Sequence, residues 1–253
     1  MTMMKRFSLL TAGLTALALS FVPGVATAKL VELGQTSTPI AAPACPTGVS
    51  PSQCFIILTR TTAIQATSDG AAYPTTVRQD GWVVAFTVGL SRLSTNPATE
   101  KNYLHVLDRA YGGTPQMALT VLTPGPNHTY TVAAQSATFH LIPFLGSVLN
   151  EPLSLPPSFT QFTALKVKRG DVLALTIPTW APVLSYNLNA TKFVYRQSRR
   201  ANCKHAAGGQ TAQLSTGSSA QYLCTYGGTR VEYSATEITT TGYPKTYVHG
   251  GRR

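Results

Sequence analysis

Residues 166–180 read KVKRGDVLALTIPTW. Lys168-Arg169-Gly170-Asp171 has the composition of a tight turn, and Val172 to Ile177 is an almost wholly apolar run of strand length. Pro178 and Pro182 bracket Trp180 and end that strand with an aromatic between two breakers. The stretch reads as turn, buried strand and aromatic loop, the late hairpin of an all-β protein. Arg169-Gly170-Asp171 is by letter the tripeptide that integrins recognise. In a hairpin, however, glycine at positive φ followed by a capping aspartate is the ordinary chemistry of the turn.

Working outward, the same alternation recurs. After the turn pair Asp80-Gly81, Trp82, Val84, Phe86, Val88 and Leu90 fall on one strand face, opposite Val83, Ala85, Thr87 and Gly89, so the large face is expected to be core. Phe55 to Leu58 reads as the first strand, followed by a polar segment that turns at Asp69-Gly70. Residues 103–109 and 116–123 read as two strands of a hairpin around Tyr111-Gly112-Gly113. Residues 129–141 supply one or two more strands, 143–158 a loop with four prolines, and 192–196 a short strand. A polar, Gly- and Ser-rich loop at 197–219 precedes a strand at 220–226, and Val231, Tyr233 and Ala235 then alternate against polar neighbours. No stretch of ten residues shows helical periodicity. The expected fold is all-β: an antiparallel two-sheet β-sandwich of jelly-roll type with long irregular loops.

The ends place this domain in a compartment. Residues 1–28 have the three parts of an export signal: Lys5 and Arg6, a mainly apolar run to Val22, and Ala26-Thr27-Ala28 as a cleavage site. Polar residues interrupt that run, so a permanent anchor of roughly 20 strongly apolar residues is the weaker reading. The expected organisation is signal peptide 1–28, a Pro- and Thr-rich N-terminal arm 29–52, a sandwich domain 53–242 and a basic tail 243–253. Without the leader, 18 basic residues face 9 acidic ones, a formal charge of +9. Cys45, Cys54, Cys203 and Cys224 form an even set after an export signal, which favours two disulfides. Four thiols allow three pairings; proximity favours Cys45 with Cys54 and Cys203 with Cys224. The chain is expected to be secreted, free or associated with a cell surface, with no membrane-spanning segment after the leader.

Candidate chemistry is sparse. Trp180 with nearby Tyr186 could present an aromatic platform for sugar rings; the competing reading has Trp180 closing the end of the core, its indole N–H on a loop carbonyl. Lys192, Arg196, Arg199, Arg200 and Lys204 lie within thirteen residues without an acid, a candidate surface for anionic polymer. Such a run also serves as a solvated edge that discourages aggregation. The five histidines show no metal-binding or catalytic spacing, and no serine lies in a nucleophile elbow. Asp80, Asp108, Glu151 and Asp171 could form a glycosidase pair only if the fold brought two of them to about 5–10 Å. No cofactor, no metal and no nucleic-acid partner is expected. Asn127-His128-Thr129 and Asn189-Ala190-Thr191 are glycosylation acceptors by pattern.

Asp80-Gly81-Trp82 opening a strand, Leu104 to Arg109, Lys168 to Leu175, and Ala220 to Tyr233 with Cys224 together resemble secreted β-sandwich proteins of actinobacteria. The resemblance implies a fold similar to jelly-roll carbohydrate-binding modules, in a family with no settled activity to carry over. The functional expectation is a secreted, non-catalytic protein that binds extracellular or cell-wall polysaccharide. A glycan hydrolase with a loop-scattered carboxylate site, and a basic adhesion protein for anionic envelope polymers, are the alternatives.

Overall fold

The computed structural model describes residues 28–45, 56–153, 163–203 and 211–239. In chain order its strands are β1 (Lys29–Leu33), β2 (Leu58–Ser68), β3 (Ala71–Ala72), β4 (Gly81–Gly89), β5 (Gln116–Pro124), β6 (Thr129–Gln135), β7 (Phe139–His140), β8 (Val148–Pro152), β9 (Leu165–Val167), β10 (Val172–Ala181), β11 (Leu184–Ser185), β12 (Val194–Gln197), β13 (Ser219–Gln221), β14 (Cys224–Gly227), β15 (Arg230–Val231) and β16 (Tyr233–Thr239). A helix, α1 (Pro97–Tyr111), lies between β4 and β5. All the strand pairs are antiparallel. One sheet runs β1-β16-β4-β8 with β9 also on β4; a larger one runs β13-β6-β5-β10-β2-β12-β14, with β3 on β2 and β7 on β5; β11 and β15 pair separately.

The larger sheet curls into a half-barrel. Its two end strands, β13 and β14, are separated in sequence only by Tyr222 and Leu223, so the chain itself steps from one edge to the other. The Tyr222 N–H donates to the His128 carbonyl at 2.9 Å, whereas the N–H groups of Leu223 and Cys224 donate to the Arg199 carbonyl at 3.1 and 3.3 Å. The strand expected at 220–226 is therefore two short strands with a corner between them.

At the centre of this sheet, β10 is flanked by β5 and β2 and is buried along nearly its whole length. Leu173, Leu175 and Ile177 enter the main core together with Phe86, Val88 and Tyr233 of the smaller sheet. Val172 and Ala174 point the other way, into a second cluster with Ile64, Leu122, Tyr130, Val132 and Tyr222 inside the curl. Burial on both faces is why the run is continuously apolar rather than alternating.

Four expectations change. Residues 103–109 are not a strand but part of α1. Asn96 caps that helix by accepting from the N–H groups of Ala98 and Thr99 at 3.0 and 3.1 Å, with Pro97 opening the first turn. Gly112, at φ 86°, is its C-cap and not a hairpin residue. Tyr103, Leu104, Leu107 and Tyr111 pack against Ile56, Leu93 and Trp180, a helical stripe that the local Leu-His-Val-Leu alternation conceals.

In β4 the pairing with β16 jumps from Thr236↔Ala85 to Glu237↔Val83, leaving Val84 as an extra residue. This bulge reverses the faces only at the start of the strand: Phe86, Val88 and Leu90 are buried as expected, but Val83 joins them while Trp82 and Val84 are half-buried. The polar segment after Leu58 is itself the long strand β2. Its Gln65 stays buried because its amide donates to the carbonyls of Thr67 and Val194 at 2.7 and 3.1 Å and accepts the Val231 N–H at 2.8 Å. Residues 29–33, assigned to the N-terminal arm, form the edge strand β1 on β16.

The alternation of β16 turns Glu237 inward, where it is 0 % exposed and neither carboxyl oxygen has a hydrogen-bond partner among the described residues. Burial, reinforced by the nearby Asp80 charge, pushes its pKa from 4.5 up to about 7. The folded protein therefore keeps this proton up to about pH 7, while the unfolded chain releases it near 4.5, so stability falls as pH rises through that window. Urea unfolding at pH 5 and pH 8 is expected to show a lower midpoint at pH 8. Glu237→Gln, which cannot ionise, should narrow the difference; an undiminished difference would assign the pH dependence to another group.

Candidate functional site

Inside the curl, three threonines on adjacent strands make a hydroxyl ladder. Thr176 of β10 pairs directly with Thr62 of β2, and its Oγ1 lies 2.9 Å from that of Thr62 and 2.7 Å from that of Thr120 on β5. Period-two alternation puts all three inside the curl, where they are 0 % exposed and hydrogen-bond one another. The ladder then holds a loop segment. Thr62 Oγ1 accepts the Gln213 N–H at 3.0 Å, and the Gln135 amide donates to Thr120 Oγ1 at 2.8 Å and to the Gln213 carbonyl at 2.9 Å.

Gln213 is tied from its other end as well. Its amide donates to the carbonyls of Tyr130 and Ser218 at 3.0 and 2.8 Å, and its Oε1 accepts the Tyr222 hydroxyl. Burial holds the Tyr222 phenol well above its ordinary pKa, so it remains a neutral donor. Ser198 completes the support: its Oγ accepts the Thr62 N–H at 2.9 Å and donates to the Thr211 carbonyl at 2.7 Å.

On top of this network lies an open cleft of about 270 Å³, lined by Ser198, Arg200, Thr211, Ala212, Gln213, Ser218, Ser219, Ala220 and Gln221. All but Ser198 and Arg200 belong to the loop closed by the Cys203–Cys224 disulfide, whose Cα atoms are 5.2 Å apart. The lining divides by role. The side chains of Ser198, Gln213, Ser218 and Ser219 are hydrogen-bonded to protein, whereas those of Arg200, Thr211 and Gln221 have no partner among the described residues. Three uncommitted donors thus face a cleft whose walls are fixed from behind. Among the described residues that line it there is no aromatic ring and no carboxylate.

The residues singled out in the sequence are distributed otherwise. Trp180 is 0 % exposed, packed with Ile56, Leu93 and Leu107, and its indole N–H donates to Asp108 Oδ1 at 3.0 Å and to the Gly113 carbonyl at 3.1 Å. Half-buried Tyr186 packs against the same cluster. The aromatic platform is therefore corrected: Trp180 closes one end of the core and offers no ring face to solvent.

The basic run does not form one surface either. Arg199 is 2 % exposed, with its guanidinium 3.4 Å from the Tyr226 hydroxyl, and Arg196 donates to the Tyr222 carbonyl at 2.9 Å. Lys192 and Arg200 are exposed at opposite ends of β12, and Lys204 lies outside the described residues. Strand alternation and the need to satisfy the barrel corner draw two of these cations inward.

Of the four carboxylates, Asp80 and Asp171 meet at the same turn, on the N–H groups of the consecutive residues Arg169 and Lys168, and both are committed to protein donors there. Asp80 Oδ1 accepts the Arg169 N–H at 2.8 Å; Asp171, 5 % exposed, accepts the Lys168 N–H and the Thr123 hydroxyl, each at 2.9 Å. Asp108 holds the Trp180 indole, and Glu151 sits on β8 at the margin of the smaller sheet. With Gly170 at φ 96° and its aspartate buried, Arg169-Gly170-Asp171 is a structural turn; the expected hairpin is corrected, because the turn links β9, paired with β4 in the smaller sheet, to β10, paired with β5 and β2 in the larger one. Cys45 is disulfide-bonded, and its expected partner Cys54 lies outside the described residues, as do residues 1–27 of the leader. Among the described residues no group of three or more His, Cys, Asp or Glu side chains could hold a metal ion, and no helix is long and apolar enough to cross a membrane.

The fold and the cleft define a mostly antiparallel β protein with a hydroxyl- and amide-lined site at the mouth of a curled sheet. No family model, curated protein or solved structure matches the chain.

Proposed function

We propose that the chain is a secreted, non-catalytic β-sandwich protein of jelly-roll type that binds extracellular or cell-wall glycan at this cleft. The observation that carries the reading is the convergence of the uncommitted Arg200, Thr211 and Gln221 side chains on an opening whose remaining walls are locked by the Thr62-Thr176-Thr120 ladder. A polyhydroxylated ligand needs donors and acceptors held at fixed angles, and hydroxyl and amide groups backed by internal hydrogen bonds supply them. At about 270 Å³ the cleft is near the lower end of ligand pockets, which run ~300–1,000 Å³, so it suits a single sugar-sized group of a longer polymer. The barrel mouth is also where such sheets commonly take ligands. A hydrolase is the weaker reading, because no carboxylate is among the described residues that line the cleft and Asp108 and Asp171 are committed to protein donors.

The test is binding of the protein to extracted wall polysaccharide and to defined glycans. Gln221→Ala and Thr211→Ala each remove one uncommitted partner and should weaken binding about 3- to 10-fold, the equivalent of one neutral hydrogen bond. Both positions are outside the core, so melting temperatures should hold. Unchanged affinity in the double variant would remove the cleft as the site.

A further inference from the structure

We infer that the ligand of this cleft is an anionic saccharide, a sugar or polyol unit carrying a carboxylate or phosphate that Arg200 engages. This rests on the cleft being the binding site, and it narrows what the cleft selects. Among the described residues of the lining, Arg200 is the one ionisable group, and no aspartate or glutamate is there to neutralise it. The other arginines at this end of the curl and in the core are committed to protein acceptors: Arg196 to the Tyr222 carbonyl, Arg199 to the Tyr226 hydroxyl, and Arg230 to the Thr38 and Pro39 carbonyls with Glu232 beside it. Arg200 is exposed and has no such partner among the described residues.

A guanidinium presents a planar fork of N–H donors that matches a carboxylate or phosphate edge and accepts nothing, so a neutral sugar hydroxyl uses only part of its capacity. Gln221 and Thr211 can donate and accept, which suits the hydroxyls of the same unit. Arg196 and Arg199 precede Arg200 on the same segment, which gathers three guanidinium groups there. The local potential is therefore positive where the cleft opens, which favours an anion and disfavours a cationic or amino sugar.

The experiment titrates the full exported chain with three soluble probes at about 0.05 and 0.15 M salt: a polyuronate, a polyol phosphate and a neutral glucan. Vesicles containing anionic phospholipid form a fourth arm. Preference for one of the two anionic polymers over glucan identifies the source of the charge. Arg200→Gln should weaken that binding about tenfold or more, as for loss of a charge-assisted hydrogen bond. Arg200→Lys should recover part of it, keeping the charge without the fork, and Lys192→Gln, at the other end of β12, should change it little.

Equal binding of glucan and anionic polymers, unaffected by Arg200→Gln but weakened by Gln221→Ala, would overturn the anionic specificity and leave the cleft reading intact. Binding that none of the cleft variants alters would overturn both. Equal losses in Arg200→Gln and Lys192→Gln would mean diffuse attraction to a basic protein, and capture by vesicles without polymer binding would mean a lipid surface; either result overturns the proposal.

Discussion

Trp180→Ala is expected to destabilise the protein by about 3–5 kcal/mol, the range for deleting a large buried aromatic. The side chain is fully enclosed among Ile56, Leu93 and Leu107, so removing it leaves a void that strands on one side and a helix on the other cannot readily close. It also removes the donor for Asp108 Oδ1 and the Gly113 carbonyl. A half-buried carboxylate and carbonyl that lose their donor add to the loss. Against total stabilities of ~5–15 kcal/mol for native domains, such a change should lower the urea midpoint substantially with little change in slope. Trp180→Phe retains most of the volume and loses only the donor, so it should fall between the two. Trp180→Ala folding with an unaltered midpoint while losing glycan affinity would restore the aromatic platform.

The placement of Trp180 shows where sequence patterning stops being informative. Its flanking prolines mark the end of β10 correctly, but prolines are equally compatible with an exposed loop and with a sealed core end. The deciding contact is Asp108, 72 positions earlier, on a helix that itself escaped notice. That helix carries Asn96-Pro97 at its start and Gly112-Gly113 at its end, both of which are helix boundary chemistry. The same glycine pair after an aromatic also suits a hairpin, and the short Leu-His-Val-Leu alternation tipped the reading toward strands. In β4 the alternation marks the strand and the buried face at Phe86, Val88 and Leu90, but not at Trp82 and Val84, because one bulged residue reverses the pattern there and leaves no residue-type mark. By contrast, Val172 to Ile177 was legible as a buried strand, since burial on both faces writes itself as an unbroken apolar run.

The cleft was legible only as composition. Gln210 to Gln221, QTAQLSTGSSAQ, is dense in hydroxyl and amide groups and lies between Cys203 and Cys224, which is the signal that could have marked it. Its geometry depends on Thr62, Thr120 and Thr176, three unremarkable threonines that become a ladder only when β2, β10 and β5 are neighbours. Strand order decides that adjacency, and it is not encoded by any local pattern. The basic run failed as a surface for the related reason that side-chain direction, rather than charge, determines what a strand exposes.

Joint replacement of Cys203 and Cys224 by alanine is expected to remove about 3 kcal/mol of stability, the chain-entropy value for a loop of this size. Binding should suffer as well as folding. The bridge spans 21 positions, and seven of the nine residues lining the cleft lie within them. Cys224 is fully buried on β14 at one edge of the curl, whereas the loop's far wall reaches β6 through β13. The disulfide therefore fixes the span across which Thr211 and Gln221 face one another. Without it, the ladder still grips Gln213 through Thr62 and Gln135, so the barrel interior should survive, but the uncommitted donors lose their common frame. Well below the melting temperature, where both proteins are folded, the double variant should bind glycan at least tenfold more weakly, about 1.4 kcal/mol. Wild-type affinity under those conditions would show that the hydrogen bonds of Gln213 and Ser198 alone shape the cleft. Reduction of the wild type is a poorer test, because it would also open the bridge at Cys45. The paired substitution confines the change to the loop that carries the site.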